Sequence, residues 1–415
     1  MAQATPVADG FVYDPFSPEV MKDPRPFYKV LRDRHPVYYL EQYDAYAFSR
    51  FADVHEVYQN ESALHTMEGT LTEKTAVSNR KRGAPPMPDY DPLPLLGWIQ
   101  PPEYEQIRQA MGQQLRRNFV ASMEDDVRAR ARALLDQLVP RGSFDVVKDF
   151  GGVVAAGSVC RLAGIPIERA AETYEAARLA GAQDPVTGGF APDWLKNRNR
   201  LLDICRQAVC EHKDDPSLDP ASAIAGLAAY RLNGRPLEVD EITTIVSSIV
   251  FGGAETLPKV IGHGLMELAA APGQREEVGA DLARNTPAAF EEILRFCAPA
   301  QWFMRTVKTP VTIAGQPLLP GQRVLTLLAC ANRDEREFPE PDRFIWNRKA
   351  RRHLAFGHGL HSCLGIHLAK LEGRVMLEEI LARIPNYTIT DAVRTPSSFQ
   401  WGYTSAILHV NGGTA

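Results

Sequence analysis

The sequence predicts a mainly α-helical single domain that carries small β-sheets. Residues 121–275 read as one helix after another, rich in Ala, Leu and Arg. Short aromatic or β-branched runs separated by turn residues predict strands near residues 36–48 and 311–328. No Ser/Gly linker, internal repeat or change of composition divides the 415 residues. We therefore expect one domain over residues 1–415, with residues 1–20 a loosely ordered N-terminal segment.

Composition and charge narrow the class of protein. A hydrophobic fraction of 45% with 23% charged residues is typical of a globular protein with a sizeable core. The net charge of −5 gives no reason to expect nucleic acid as a partner. The N-terminal residues have neither the basic start nor the apolar run of a signal peptide or membrane anchor. The six cysteines are widely spread, unlike a disulfide framework. We expect a cytoplasmic monomer.

The first third of the chain mixes regular elements with one irregular segment. We predict a helix over residues 26–34, strands at 36–40 and 45–48, and a helix over 51–59. Residues 67–100 are polar, rich in proline and without periodicity, so they are either disordered or a lid over a site. Pro101–Pro102 then begins a helix that runs to about Phe119.

The most apolar helix carries residues that weaken a helix. It ends in Phe251-Gly-Gly-Ala-Glu-Thr-Leu-Pro258. Glycines allow close approach of a ligand and can open a bulge in the helix. The alternative is a kinked structural helix in which Glu255 has a buried partner. Further on, Thr286–Pro287 predicts a helix start, and Glu292 and Arg295 lie one turn apart and can pair.

A glycine-rich stretch surrounds one cysteine, in the run Phe356-Gly-His-Gly-Leu-His-Ser-Cys-Leu-Gly365. Beyond Cys363, apolar residues recur at helical spacing, so the cysteine lies where a loop becomes a helix N-terminus. Unpaired N–H groups there favour a thiolate, which could ligate a planar metal cofactor such as haem. A buried structural cysteine is the alternative.

The run F-G-x-G-x-H-x-C-L-G resembles the haem-binding signature of the cytochromes P450. The resemblance implies the cytochrome P450 fold, with haem b held by the Cys363 thiolate and His361 contacting a haem propionate. It places Phe356 beside the sulfur, and Gly357 and Gly365 in the haem loop. An anionic sulfur donates electron density to the iron and favours cleavage of the O–O bond.

Other segments resemble the same family in the family's order. Gly252, Glu255 and Thr256 match its oxygen-activation motif and imply a proton relay, although Leu257 and Pro258 depart from the motif. Arg108 and Arg305 match arginines that bind propionates. Tyr104 stands where the family often has histidine. By resemblance, Glu292, Arg295 and Arg343 form a buried structural charge network.

The activity implied is monooxygenation of a small hydrophobic, ring-containing molecule with O2. Electrons come from NAD(P)H through a separate ferredoxin-type donor. We expect this donor at a basic surface formed by Arg116, Arg117, Lys370 and Arg374, beside Arg108. The alternatives are a peroxygenase that uses H2O2 and a non-catalytic haem-binding or sensing protein. The substrate pocket is expected to draw on the following residues: Trp98, Ser248, Phe251, Gln301, Trp302, Phe303 and Trp401. Sheet core is an equal alternative for residues 399–403.

Overall fold

Helices form most of the structure, a computed structural model that describes residues 10–66, 74–79, 82, 95–112, 115–184, 186–187, 189–350, 352–394 and 397–411. The α-helices, in chain order, are α1 Pro18–Lys22, α2 Arg25–Arg34, α3 Phe51–Gln59, α4 Lys74–Asn79, α5 Glu103–Ala110, α6 Arg117–Ala121, α7 Glu124–Leu138, α8 Val153–Ala163, α9 Ala170–Ala180, α10 Trp194–Asp214, α11 Ala223–Ala229, α12 Val239–Ala270, α13 Pro272–Gly279, α14 Leu282–Cys297, α15 Leu328–Ala331 and α16 Ile366–Arg383. A π-helical segment, Val146–Gly152, precedes α8.

Within the described residues, the strands are short and form four small sheets. They are β1 Val37–Leu40, β2 Ala45–Phe48, β3 Leu64–His65, β4 Ser143–Asp145, β5 Arg231–Leu232, β6 Arg235–Pro236, β7 Phe303–Val307, β8 Val311–Ile313, β9 Gln316–Leu318, β10 Arg323–Thr326, β11 Tyr387–Val393 and β12 Ser405–Val410. The largest sheet has the order β1-β2-β10-β7-β3. Only β2 and β10 pair in parallel in this sheet, with Arg323 opposite Ala45. The expected helix-rich fold with small sheets is confirmed.

The core is built around α12, which packs against α8, α9, α10, α14 and α16. It begins with a capping box, in which the Glu238 and Glu241 side chains each accept from the other's backbone N–H. By length and composition α12 could cross a membrane, but 67% of its apolar window is buried in protein. Burial of this kind is typical of the central helix of a protein core.

The expected bulge in this helix does not form, because α12 continues without interruption from Val239 to Ala270. Pro258 lies inside it and is buried against the π-helical segment. A Cβ on Gly151 would lie 3.3 Å from the Pro258 Cα. Tight tertiary packing therefore holds the helix together where proline removes a backbone hydrogen bond.

Other boundaries also differ from expectation. Two helices, α5 and α6, replace the single helix predicted from Pro101 to Phe119. Helix α14 begins before Thr286, because Asp281 caps it by accepting from the Arg284 N–H at 3.2 Å. Thr286 instead donates its hydroxyl to the Leu282 carbonyl at 2.8 Å.

Residues 10–20 are packed rather than loosely ordered. Tyr13 and Phe16 are each 1% exposed and belong to the hydrophobic cluster under the five-stranded sheet. Ser17 caps α1 by accepting from the Val20 N–H. This part of the expectation for the N-terminal segment is wrong, because aromatic residues anchor the chain before its first helix. Residues 1–9, and residues 67–73, 80–81 and 83–94 of the segment expected to be disordered or a lid, lie outside the described residues.

Candidate active site

The Cys363 loop is shaped by its own backbone. The Cys363 N–H donates to the Phe356 carbonyl at 2.9 Å, which closes the loop. Gly357 and Gly359 have φ of +66° and +79°, a region that side chains disfavour. Glu61 accepts from the Leu360 N–H at 2.7 Å. These contacts fix the loop as it enters α16, as the sequence predicted.

The Cys363 thiol is accessible at the end of this loop. The surrounding protein raises the pKa of the thiol, while a backbone hydrogen bond from Gly365 and the charge of Arg108 lower it. A donor and a cation aimed at sulfur stabilise the thiolate form that a metal requires. We call this loop together with α16 the proximal side.

Four predicted cofactor contacts gather beside the loop. Arg108 donates to the Leu360 carbonyl at 2.7 Å, and the Tyr104 ring lies 4.2 Å from the His361 ring, centroid to centroid. Burial, then Arg305 and Arg108, lower the pKa of His361 to about 4. Burial raises the pKa of Tyr104, which also responds to the charges of Arg108, Cys363 and Arg305. These residues therefore share one electrostatic environment.

Two arginines lie beside this loop. Within the described residues, Arg108 and Arg305 donate to backbone carbonyls and form no salt bridge with a carboxylate. Arg305 instead lies over the Tyr58 ring at 5.2 Å and donates to the Met304 carbonyl. Both Arg305 and His361 line a cavity of about 200 Å³. Glu61 also lines the cavity. The guanidinium groups of Arg305 in the cavity wall and of Arg108 beside the loop suit the carboxylates of a haem, so the residues present fit this cofactor.

The other predicted site residues lie in the middle of α12, which we call the distal side. Gly252 is exposed there, and a Cβ added to it would meet nothing within 4 Å. An open glycine in the central core helix leaves room for a flat group, which supports the fit to haem. Thr256 is half-buried, and its hydroxyl bonds to no other described residue.

Glu255 is buried rather than open to solvent, at 3% exposure. Lys259, one turn later on α12, donates to one carboxylate oxygen, and Gln400 from the C-terminal loop donates to the other. Lys259 also donates to the Gln400 side-chain oxygen. Glu255 therefore has the buried partner that one reading of the sequence allowed.

Three of the expected pocket residues belong to the core. Gln301 accepts from the Tyr28 hydroxyl at 2.8 Å and donates to the carbonyls of Ser397 and Ser398. Trp302 is fully buried and donates to the Ser398 carbonyl at 2.6 Å. Trp401 is 4% exposed under the Arg394 guanidinium, 3.5 Å from its ring. Their assignment to the substrate pocket is wrong, because each side chain is already satisfied by protein.

The other expected pocket residues are half-buried. Phe303 contacts Phe399 at a centroid distance of 5.5 Å, and Phe251 packs beside Gly181 at the end of α9. Ser248 donates to the Thr244 carbonyl at 3.1 Å. Trp98 packs against the cluster under the large sheet.

The buried charge network contains a different arginine from the one expected. Arg295 bonds both oxygens of Glu292, at 2.7 and 2.8 Å, as predicted. Arg348 also bonds Glu292, at 3.0 and 3.2 Å. Arg343 is instead 66% exposed and pairs with Glu340 at 3.2 Å. The assignment of Arg343 is wrong, because the chain folds back five residues later.

The expected basic surface is smaller than predicted. Arg116 and Arg117 are exposed at the start of α6, which packs on α16. Arg374 is half-buried between Glu124 and Glu378, and Lys370 pairs with Glu291 at 2.6 Å. We call Arg116 and Arg117 the proximal basic pair.

Sequence reasoning missed Lys259, Gln400 and Arg348. Lys259 carried a usable signal, because a lysine four residues after a glutamate in an apolar helix predicts an i,i+4 pair. Gln400 had no local signal, since it is 145 residues from Glu255. Arg348 lies beside the expected Arg343 but is distinguished from it only by the fold of the intervening loop.

Comparison with known proteins agrees with this geometry. Residues 192–385 match the family model for cytochrome P450. The chain is 30% identical over 379 residues to cytochrome P450 CYP199A2 of Rhodopseudomonas palustris, covering 89% of this chain and 87% of that protein. It is 28% identical over 380 residues to a vitamin D(3) 25-hydroxylase of Pseudonocardia autotrophica, covering 91% and 90%.

A solved structure extends the likeness to the whole fold. Cytochrome P450 CYP109Q5 from Chondromyces apiculatus has a TM-score of 0.80 and 27% identity, covering 97% of this chain and 99% of that one. The identity to relatives over most of their length and the agreement of the fold lead to one conclusion. The chain belongs to the cytochrome P450 family and is a monooxygenase.

Proposed function

We propose that the protein hydroxylates a small hydrophobic, ring-containing molecule held against the distal side. The observation that carries the proposal is the open Gly252 between the half-buried Phe251 ring and the Glu255–Thr256 pair. An apolar pocket with few polar anchors binds its ligand by burial. The relative named for vitamin D(3) hydroxylation acts on a hydrophobic molecule with rings, which supports the same class here.

Haem b fits as the cofactor, with Cys363 as its thiolate ligand. Arg108, Arg305 and His361 would hold its propionates, with Tyr104 replacing the more usual histidine. Bound in this way, haem supplies the activation of O2 for insertion into a C–H bond. The protein contributes a fixed sulfur, cations that neutralise the propionates, and exclusion of water from the apolar wall.

Thr256 and Glu255 supply protons in this proposal. The Thr256 hydroxyl is free to donate toward the distal side, since no other described residue accepts from it. Glu255, the preceding residue on α12, then replaces this proton through water, because consecutive side chains on a helix do not face each other. A positioned acid of this kind typically contributes ~10²–10⁴-fold to the step it assists.

We propose that electrons pass from NAD(P)H through a separate ferredoxin that docks at the proximal basic pair, in the cytoplasm and on a monomeric enzyme. Ferredoxins are acidic, and two exposed arginines beside α16 provide a complementary surface close to the thiolate. Arg116→Glu with Arg117→Glu should slow ferredoxin-supported reduction, and high salt should have the same effect. The matched control is Lys196→Glu with Arg200→Glu on α10, which changes the charge equally on a helix that packs on α9 and α12.

The deciding experiment is a substrate screen by the optical spectrum of the loaded protein, followed by turnover. Hydrophobic ring compounds should shift the spectrum, and the best binder should be hydroxylated with a ferredoxin system and NAD(P)H. A spectrum that responds only to charged, strongly polar compounds contradicts the substrate class. Turnover supported by H2O2 alone would indicate a peroxygenase, and binding without any turnover would indicate a sensor.

A further inference from the structure

The carboxylate of Glu255 is enclosed on every side that the structure describes. Lys259 and Gln400 occupy its two oxygens. Gly181 at the end of α9 covers it from another direction, since a Cβ there would lie 3.4 Å from the carboxyl carbon. Because the group is 3% exposed, protons reach it through its neighbours rather than from bulk solvent. Among the side chains bonded to Glu255 in the described ranges, Lys259 is the titratable one.

Lys259 is itself buried, at 7% exposure. Burial, followed by the charge of Arg178 on α9, lowers the pKa of Lys259 to about 7. Arg178 is neutralised in part by Glu175, which it bonds at 2.6 Å. One turn further along α12, His263 pairs with Glu267 at 3.4 Å. An ammonium group in this setting exists because the carboxylate beside it compensates its charge.

Gln400 lies on a C-terminal loop that core side chains hold in place and that reaches Phe303, an expected pocket residue. Its loop is tied down by Trp302 and Gln301, which donate to the Ser398 carbonyl at 2.6 and 3.2 Å. Gln183 accepts from the Ser397 hydroxyl at 2.6 Å, beyond α9. The neighbouring residue of the loop, Phe399, contacts Phe303. A displacement of this loop by a ligand is therefore transmitted to Gln400 and to the oxygen of Glu255 that it bonds.

We propose that Lys259 and Gln400 are positioning residues of the proton relay, with Gln400 linking Glu255 to the occupancy of the pocket. Lys259 keeps Glu255 ionised, so that it can accept a proton and pass it toward Thr256. Without Lys259, the buried carboxyl would be retained in its protonated form. This inference depends on one part of the proposed function, namely that Glu255 and Thr256 form the proton relay.

The test compares Lys259→Met and Gln400→Leu with the wild type, as loaded enzymes with a ferredoxin system. Product formed per NAD(P)H consumed should fall on the order of tenfold, with peroxide released in its place, because each variant removes a hydrogen bond to a charged group. The pH dependence of this ratio near neutrality should disappear in Lys259→Met. Affinity for the substrate should stay unchanged in Lys259→Met and weaken in Gln400→Leu. Lys213→Met, exposed on α10, is the matched control.

Thr256→Ala serves as the reference that separates the two proposals. If Thr256→Ala keeps the wild-type ratio, the proposed relay itself is wrong. If Thr256→Ala loses product while both Lys259→Met and Gln400→Leu keep the wild-type ratio and pH profile, only the positioning role is overturned. The thiolate optical band of the carbon monoxide complex identifies any variant that has not folded. Gln400→Leu on the loop keeps the test open if Lys259→Met does not fold.

Discussion

The proximal and distal sides each contain a buried carboxyl group, but the two groups have opposite electrostatic environments. Glu372, on α16, is 2% exposed, and burial raises its pKa to about 8 against the pull of Ser158 and Arg130. One of its oxygens has no hydrogen-bond partner within the described residues. Glu255, on α12, has a cation and an amide on its two oxygens.

The difference shows what each side is built for. The proximal loop is fixed by its Cys363–Phe356 backbone hydrogen bond and by Glu61 and Arg108, and the Glu372 carboxyl further along α16 keeps its proton below about pH 8. The distal carboxyl keeps a cation beside it, an arrangement that suits a group that must exchange protons repeatedly. These opposite environments suit the proposed roles, a fixed metal ligand on the proximal side and a proton relay on the distal side.

The largest effect is expected from a substitution on the proximal side, at Cys363. Cys363→His should abolish monooxygenation while retaining haem, because imidazole does not donate electron density as a thiolate does. The reduced wild-type protein with carbon monoxide should show the strongly red-shifted band of a thiolate complex, and the variant should lose it. A wild-type band typical of histidine ligation would overturn the assignment of Cys363.

The next largest effect is expected from a substitution on the distal side alone, at Thr256. Thr256→Ala should leave haem, substrate binding and first reduction intact, because none of these steps needs the hydroxyl. Loss of the acid should slow the assisted step by ~10²–10⁴-fold, so that peroxide replaces product. The measurement is product per NAD(P)H consumed, with peroxide assayed in parallel. Equal ratios in variant and wild type would reduce Thr256 to an ordinary helix residue.

A smaller effect is expected in the buried charge network around Glu292. Arg348→Gln should lower the free energy of unfolding by about 3 kcal/mol, because it leaves the buried Glu292 with one fewer cation. Arg343→Gln is the matched control and should cost less than about 0.5 kcal/mol, since that side chain is exposed. Denaturant unfolding of the loaded protein measures both. Reversed magnitudes would restore Arg343 to the network.

The smallest expected effect is an increase in the free energy of unfolding rather than a loss. Because the pKa of Glu372 is raised from 4.5 to about 8, the folded state keeps a proton that the unfolded state loses across this window. Stability therefore falls as pH rises through it. Glu372→Gln should match the wild type at pH near 5 and exceed it by roughly 2–3 kcal/mol near pH 7. Exposed Glu168→Gln should show no such divergence. A constant offset at both pH values would contradict the raised pKa.

The proximal side was largely predictable from sequence, because its determinants are local. Glycines at positive φ, a cysteine before a helix and the Glu292–Arg295 pair all lie within short stretches of chain. The strands at residues 37–48 and 311–326 also carried local signals, in their alternation and turn residues.

The distal side was less predictable because its contacts join distant segments. Aromatic residues such as Trp302 and Trp401 occur both in hydrophobic cores and in substrate pockets. Their burial in the structure, which the sequence does not show, distinguishes the two locations. The uninterrupted course of α12 through Pro258 depends on packing against Gly151, about one hundred residues earlier. Propensity alone predicts a break there.

Residues 10–34, at the start of the described chain, have a consequence for substrate selectivity. Tyr28 holds Gln301, Phe16 packs edge-on against Trp302, and Arg25 lies over Trp401 at 5.8 Å. These residues contact the core layer that holds the C-terminal loop, and Phe399 of that loop packs on Phe303 of the expected pocket. A chimera that takes residues 10–34 from a relative should therefore acquire part of that relative's substrate preference, without any exchange of residues in the pocket.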